Sequence, residues 1–446
     1  KKVGTLEAQQ FSTTTKLEGD TYWTLGAVSF GNSGFASGSG SNGNNFNNSN
    51  YGAVSFNYDI RLNLKTSFTG KDLLYTRLRA GNYQQSAFAG SPYGLMALDR
   101  AFPGSDNSGF ATSNSVFYLD RLYYRFPVGK VFTAAIGPAA RNTEFLGTAP
   151  WYYTDHQGLD FFQLHGAPGA YNKATGSTFA FIWKQPVKKG KPYFTASTSL
   201  VSPGANAGDS DGSYNSTSTG YSIKAGGILG AYSADSWLTQ IAYVKPQWKA
   251  AFAYNFVKCG GGTNYQSRRG TAATAAQAEQ CTGYDNNSVN SFGISWAWQP
   301  KKSGTIVPSL SLGYGYSAWN QSSLSPNNGT AYAALGSLGS RSVGNIAATQ
   351  SWATALQWSD ALVKGNSAGL AVGQGNFVTA LRNGQTPQDG NYVWEWWYKF
   401  KMSDQVSLTP TFFYLSNPSS AGPNSPGTTN TGANVFGGFL AAQFKF

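Results

Sequence analysis

The chain reads as an all-β protein, a transmembrane antiparallel barrel of about 16 strands, and three observations lead there. Apolar and polar residues alternate with a period of two along most of its length. Short connections rich in Gly, Pro and Lys alternate strictly with long ones rich in Gly, Asn and Ser. Only 12% of the 446 residues are charged while 15% are aromatic, and no apolar run approaches the ~18 residues that a membrane helix needs. A helical membrane protein is excluded on that ground. Disorder is excluded as well, since 41% apolar residues can bury ample surface. Two Cys in the whole chain make neither a disulfide scaffold nor a zinc cluster.

The elements follow in order. From Tyr58 the residues Tyr58, Ile60, Leu62, Leu64, Thr66 and Phe68 fall on one face, and Asp59, Arg61, Asn63, Lys65 and Ser67 on the other. The pattern returns at Trp248 to Phe256, Phe292 to Trp298, Ile306 to Tyr316 and Tyr392 to Phe400. Seven short connections separate such segments: Thr69 to Lys71, Pro127 to Lys130, Pro186 to Pro192, Lys245 to Gln247, Pro300 to Gly304, Ser359 to Gly365 and Met402 to Asp404. Eight long ones lie between them, at Gly31 to Asn50, Gln85 to Ser115, Arg141 to Ala174, Pro203 to Ala234, Lys258 to Asn290, Ala318 to Gln350, Phe377 to Asn391 and Asn417 to Gly432. Tyr221 to Leu229 is assigned to the fourth long connection, because counting it as a strand makes the total odd.

A soluble sandwich has no reason to put every long loop on one side. A membrane barrel has, and the bilayer core admits strands only where closure leaves no backbone group unpaired. Aromatics cluster at strand ends, as at Tyr22-Trp23, Trp183, Trp237 and Trp394 to Tyr398, where rings form interfacial girdles. The chain stops on Phe444-Lys445-Phe446, which reads as a closing strand with a terminal aromatic. The competing reading is a surface-exposed β-rich glycan-binding protein whose aromatics stack on sugars.

The net charge of +12 divides along the alternation. With Ile60, Leu62 and Leu64 facing lipid, Arg61 and Lys65 face the lumen, since a charge facing lipid at mid-bilayer costs about 2–4 kcal/mol. The same logic turns Arg77, Arg79, Arg121, Arg125, Lys249 and Lys399 inward, although it sends Asp120 toward lipid. Lysines of the short connections, among them Lys71, Lys130, Lys188, Lys189, Lys191, Lys301 and Lys302, belong to the rim and not to the lining. No stretch carries the clustered Lys/Arg face of a nucleic-acid binder.

Catalytic signatures are thin. HExxH, CxxC and the phosphate-binding Gly-Lys-Ser/Thr loop are absent. One nucleophile-elbow match, Gly208 to Gly212 around Ser210, lies in a polar loop without the strand and helix such an elbow needs. Its Asp209 and Asp211 are an incomplete calcium ligand set. His156 and His165 in the third long connection lie beside Asp155 and Asp160, and read as loop polar groups before they read as metal ligands. No enzyme, metal or cofactor is implied. Cys259 and Cys281 bracket 21 residues inside the fifth long connection and read as a disulfide tying the loop base, the alternative being two unpaired thiols.

Leu6-Glu7-Ala8-Gln9-Gln10-Phe11-Ser12-Thr13-Thr14-Thr15-Lys16-Leu17 resembles the segment that opens the barrel in cyanobacterial outer-membrane porins of the carbohydrate-selective-porin-like group, also called iron-uptake porins. Leu64 to Leu78 resembles the second hairpin of that group, and Ser403 to Pro410 and the Phe-Lys-Phe ending match more weakly. The resemblance implies a homotrimeric channel in the cell outer membrane, or the equivalent plastid outer envelope. It also implies an upstream surface-layer-homology domain that binds cell-wall glycan. That domain lies outside this sequence, and residues 1–15 look like the tail of its periplasmic linker, with the barrel at 16–446.

Sixteen strands leave an aqueous lumen. In porins generally the third long loop narrows it, which here is 141–174 with Arg141, Glu144, Asp155 and Asp160. Acids facing an arginine wall set up a transverse field that filters ions by sign. The expectation is passive diffusion of small hydrophilic solutes and inorganic ions, with anions preferred.

Overall fold

A computed structural model describes residues 14–31, 48–102, 116–206, 208, 227–230, 233–258, 270–271, 288–302, 304, 306–320, 346–382, 384, 387, 389–418 and 434–446. Its strands are β1 (Thr15–Gly31), β2 (Ser55–Thr66), β3 (Leu73–Gly81), β4 (Tyr118–Val128), β5 (Phe132–Arg141), β6 (Thr175–Lys184), β7 (Tyr193–Ser202) and β8 (Ser236–Val244). They continue as β9 (Trp248–Lys258), β10 (Ser288–Trp298), β11 (Ser309–Asn320), β12 (Ile346–Ser359), β13 (Ser367–Leu381), β14 (Tyr392–Lys401), β15 (Val406–Ser416) and β16 (Asn434–Lys445). Each pairs antiparallel with its chain neighbours, and β1 pairs with β16, so the sheet is a closed barrel. Closure removes the sheet edges that a bilayer cannot solvate. At the seam the Gly19 N–H donates to the Phe446 carbonyl (2.6 Å) and the Phe446 N–H to the Gly19 carbonyl (2.9 Å), which stitches the terminal aromatic into the barrel.

Local chemistry sets the hairpins. Gly70 and Gly129 adopt φ +77° and +65° with open space around them, so left-handed backbone, not room, is what calls for glycine there. Asp72 gathers the first turn: Ser67 Oγ and the N–H groups of Phe68 and Thr69 donate to Oδ1 at 2.8–3.0 Å. Tyr124 OH donates to Oδ2 at 2.6 Å. That hydroxyl, and then the backbone donors, hold the Asp72 carboxyl well below the usual carboxylate range.

The alternation read from the sequence appears as two faces. On β2 Asn57, Asp59 and Arg61 are buried inside, while Phe56 is 63% exposed outside. On β10 and β14 Ile294, Trp296, Trp394 and Trp396 lie outside, the last two with rings stacked at 6.2 Å. Asp120 departs from the expectation that it faces lipid. The β3–β4 ladder runs Arg77↔Arg121 and then Leu78↔Leu119, which leaves Asp120 as the extra residue of a β-bulge. Asp120 and its neighbour Arg121 are therefore both buried inside, and the cost of a carboxylate in lipid is avoided.

The barrel interior holds the largest apolar cluster among the described residues. Phe88, Tyr93, Leu95, Met96 and Leu98 from the second long connection pack with Tyr153, Leu159, Phe161 and Phe162 from the third, against Phe413, Val435 and Phe439 of the wall. The sequence assigns only the third long connection to the lumen; the second enters it too. The apolar-rich run from Ala87 to Phe102, with Phe88, Tyr93, Leu95, Met96 and Leu98, is the signal for it. Residues 221–226 of the segment Tyr221 to Leu229 lie outside the described residues, Gly227–Leu229 are not strand, and the barrel closes without them.

Candidate pore constriction

The third long connection crosses the interior and is fixed to the far wall by its backbone. It leaves β5 through a 3-10 turn at Asn142–Phe145 and carries a second at Asp160–Leu164. The Gly147 N–H donates to Ser197 Oγ (3.1 Å) on β7, Tyr152 N–H to Ser311 Oγ (3.0 Å) on β11, and Thr154 N–H to Gln357 Oε1 (2.9 Å) on β12. Glu395 of β14, fully buried, accepts from Tyr153 OH at 2.8 Å and from the Leu159 N–H at 2.5 Å. Such donors have no helix or sheet partner of their own, and wall side chains satisfy them. Close approach also needs small residues on the wall, since a Cβ at Gly313 would lie 1.9 Å from the His165 carbonyl oxygen.

Two predicted lining lysines hold this segment. Lys249 donates to the Trp151 carbonyl (2.9 Å) with its ammonium over the Tyr152 ring, and is buried behind the loop. Lys399 donates to the Asp155 carbonyl (2.9 Å). Both histidines serve packing: His156 shares a hydrogen bond with Thr411 (2.9 Å) beside Trp397 and Phe439, and His165 sits between Trp151 and Tyr171. Burial, with some help from Lys399, pushes the His156 imidazole down to about 3; burial, with Lys173 and Lys249, does the same to His165. Both are neutral near pH 7. Among the described residues no group of three or more His, Cys, Asp or Glu is arranged to hold a metal ion.

The opposite wall, β2 to β4, carries the arginines. Asp59 is their hub, bonded to Arg61 (3.0 Å), Arg79 (2.5 Å) and Arg100 (2.7 Å). Asp120 lies 3.0 Å from Arg121 and 3.5 Å from Arg77, and Glu144 of the third connection meets Arg121 at 2.7 Å. Arg100, from the second connection, also pairs with Asp20 (2.5 Å) and donates to Gln157 (3.2 Å), so it ties both inner loops to β1 and β2. No sequence pattern singled it out, because its partners are remote in the chain. Among the described residues Arg125, whose β5 partner Ala135 is buried inside, forms no ion pair, and Arg141 Nε has no hydrogen-bond partner. Lys65 pairs with Glu18 (2.5 Å) near the rim.

The acids of the third connection do not line up as one row. Glu144 reaches the arginine wall, whereas Asp160 is bound with Asp99 to Lys173. Burial alone would raise the Asp99 carboxyl, but Lys173 and then Arg61 hold it far below its usual range. Asp155 lies beside a polar cavity of about 750 Å3 bounded by Asp20, Arg61, Arg100, Lys399 and Lys445. Cys259, Cys281, Asp209, Ser210 and Asp211 lie outside the described residues.

A family model described as carbohydrate-selective porin, OprB family, matches residues 2–446. The chain belongs to the carbohydrate-selective porin family. Curated relatives include a protein of Nostoc sp., 24% identical over 433 residues covering 94% of this chain and 64% of that protein. A protein of Synechocystis sp. is 25% identical over 455 residues, covering 99% and 70% respectively. The chain thus spans about two thirds of the length of these relatives. Among solved structures, Pseudomonas putida OprB superposes with a TM-score of 0.56 over 100% of this chain and 97% of that one at 11% identity, and Salmonella typhi OmpF with 0.50 over 97% of each at 8%. These likenesses concern the fold, a closed sixteen-stranded barrel; membership of the porin family puts it in a bacterial outer membrane.

Proposed function

We propose that this porin is a passive diffusion channel for small hydrophilic solutes and inorganic ions, without a catalytic step, and that it prefers anions. The observation that carries the reading is the inner wall of β2 to β4. There Arg61, Arg77, Arg79, Arg100 and Arg121 share Asp20, Asp59, Asp120 and Glu144, while Arg125 stands outside these pairs. A low-dielectric wall with a cationic surplus raises the local concentration of anions and repels cations. The surplus is small, because most arginines are neutralised in place, so the preference is moderate.

The same reading places the protein in a cyanobacterial outer membrane, supported by the Nostoc and Synechocystis relatives, with outer-membrane lipid and further copies of itself as partners in a homotrimer. Sugars follow from the family description and iron complexes from the alternative family name; the polar cavity suits uncharged and anionic solutes alike. Contact with cell-wall glycan belongs to the upstream domain that the resemblance implies. The Cys259–Cys281 disulfide is part of the reading.

The zero-current potential in a KCl gradient tests it. The wild type is expected to show chloride preference, reduced in Arg125→Gln and Arg77→Gln. Potassium preference in the wild type would sink the basic-wall assignment.

A further inference from the structure

Porin barrels put their short turns on the periplasmic side, so these turns end where the strands leave the inner leaflet. The charges there are unevenly spread. The connections 129–131, 185–192, 245–247 and 299–308, serving β4 to β11, contain no Asp or Glu. They carry Lys130, Lys188, Lys189 and Lys191, then Lys245, Lys301 and Lys302; all but the half-buried Lys245 are exposed, and none forms a salt bridge among the described residues. The other half of the rim is mixed: Lys71 neighbours Asp72, the 360–366 turn holds both Asp360 and Lys364, and Asp404 is paired with Lys401 at 2.6 Å.

Two further features lie at the same level. Lys184 stands over the Tyr193 ring (4.3 Å) and Lys245 over Trp248 (5.0 Å), which is how cations sit beside the aromatic belt at headgroup depth. Bare apolar tips accompany the lysines, with Val187 at 38% and Ile306 at 93% exposure. Leu362 on the mixed half is as bare, at 95%. Apolar contact with the leaflet therefore belongs to the whole rim, and charge singles out one half.

We propose that the rim of β4 to β11 is a binding surface for anionic lipid headgroups of the periplasmic leaflet, with apolar tips dipping into the leaflet and lysine stems snorkelling to phosphate or sulfonate oxygens. A soluble polyanion would be met by the same charge, but it gives no role to Val187 and Ile306. The surface rests on the barrel lying in an outer membrane and is independent of which solutes pass through it.

The test uses the full chain refolded in detergent, with phosphatidylglycerol and phosphatidylcholine offered in equal amounts and bound lipid counted by native mass spectrometry. The wild type is expected to prefer phosphatidylglycerol by at least about tenfold, since each lysine near an anionic surface contributes a factor of about five and two of the seven at full strength already exceed that. The variant combining Lys188→Gln, Lys189→Gln, Lys191→Gln, Lys301→Gln and Lys302→Gln, which keeps Lys130 and the half-buried Lys245, is expected to lose most of that preference. A control combining Lys71→Gln and Lys364→Gln keeps the preference. Heat-modifiable gel mobility and unchanged conductance show that each protein is a folded channel. No preference in the wild type, or one retained in the five-lysine variant, overturns the proposal. Lysine-dependent binding of dextran sulfate without lipid preference also overturns it, assigning the rim to a soluble polymer. Loss of conductance in the wild type would instead indict the channel reading.

Discussion

Truncating Glu395 to Ala should loosen the middle of the inner loop without unfolding the barrel. The carboxyl accepts from Tyr153 OH and the Leu159 N–H in a fully buried place, and Gly158 lies so close that a Cβ there would be 2.1 Å from Oε2. Alanine leaves both donors without an acceptor, at about 1–3 kcal/mol each and so about 2–6 kcal/mol in all. The neighbouring anchors are the Gln357 acceptor for Thr154 and Asp155, the Lys399 bond to the Asp155 carbonyl and the Thr411–His156 bond. Each is worth about 0.5–1.5 kcal/mol net if ordinary, so the loss rivals their sum. Residues 153–159 should then fluctuate while 142–152 stay docked on β7, β8 and β11. Single-channel recording in planar bilayers reads this as a higher mean conductance with more open-channel noise. Glu395→Gln keeps one acceptor oxygen and should fall between Ala and wild type. A folded Glu395→Ala protein with wild-type conductance and noise would refute the view that this carboxyl fixes the constriction.

Gly313→Val should displace the loop at His165 or block refolding, because the added Cβ meets the His165 carbonyl oxygen; the heat-modifiable gel shift and conductance separate the two, and wild-type behaviour in both would contradict the packing described. Acidification should weaken loop docking between about pH 6.5, where a released imidazole protonates, and pH 3, where the docked ones do, by about 1.4 kcal/mol per pH unit for each His. Docking is at full strength above that window and falls within it, while Asp99, held low by Lys173 and Arg61, begins to count only below about pH 4. Channel noise that stays flat from pH 7.5 to 4.5 would contradict this. Thiol titration of the unfolded chain should find no free thiol before reduction and two after it, whereas two reactive thiols at the outset would rule out the Cys259–Cys281 bridge.

The sequence by itself determined the barrel, its sixteen strands and, on a regular strand such as β2, the face turned inward. Alternation is a local property: a strand points successive side chains to opposite sides whatever its neighbours do, so Ile60 and Arg61 carry their assignments with them. The same locality explains its failures. Asp120 was misplaced because a bulge depends on how β4 registers against β3, which no single strand encodes. The second loop's entry and the part played by Arg100 were illegible for a like reason, since Asp20, Asp59 and Gln157 come within reach of Arg100 only once the barrel has closed around both loops. Tertiary structure alone decided which inner cations are spent on carboxylates and loop carbonyls and which stand outside such pairs among the described residues, because pairing is set by distance across the lumen and not by distance along the chain.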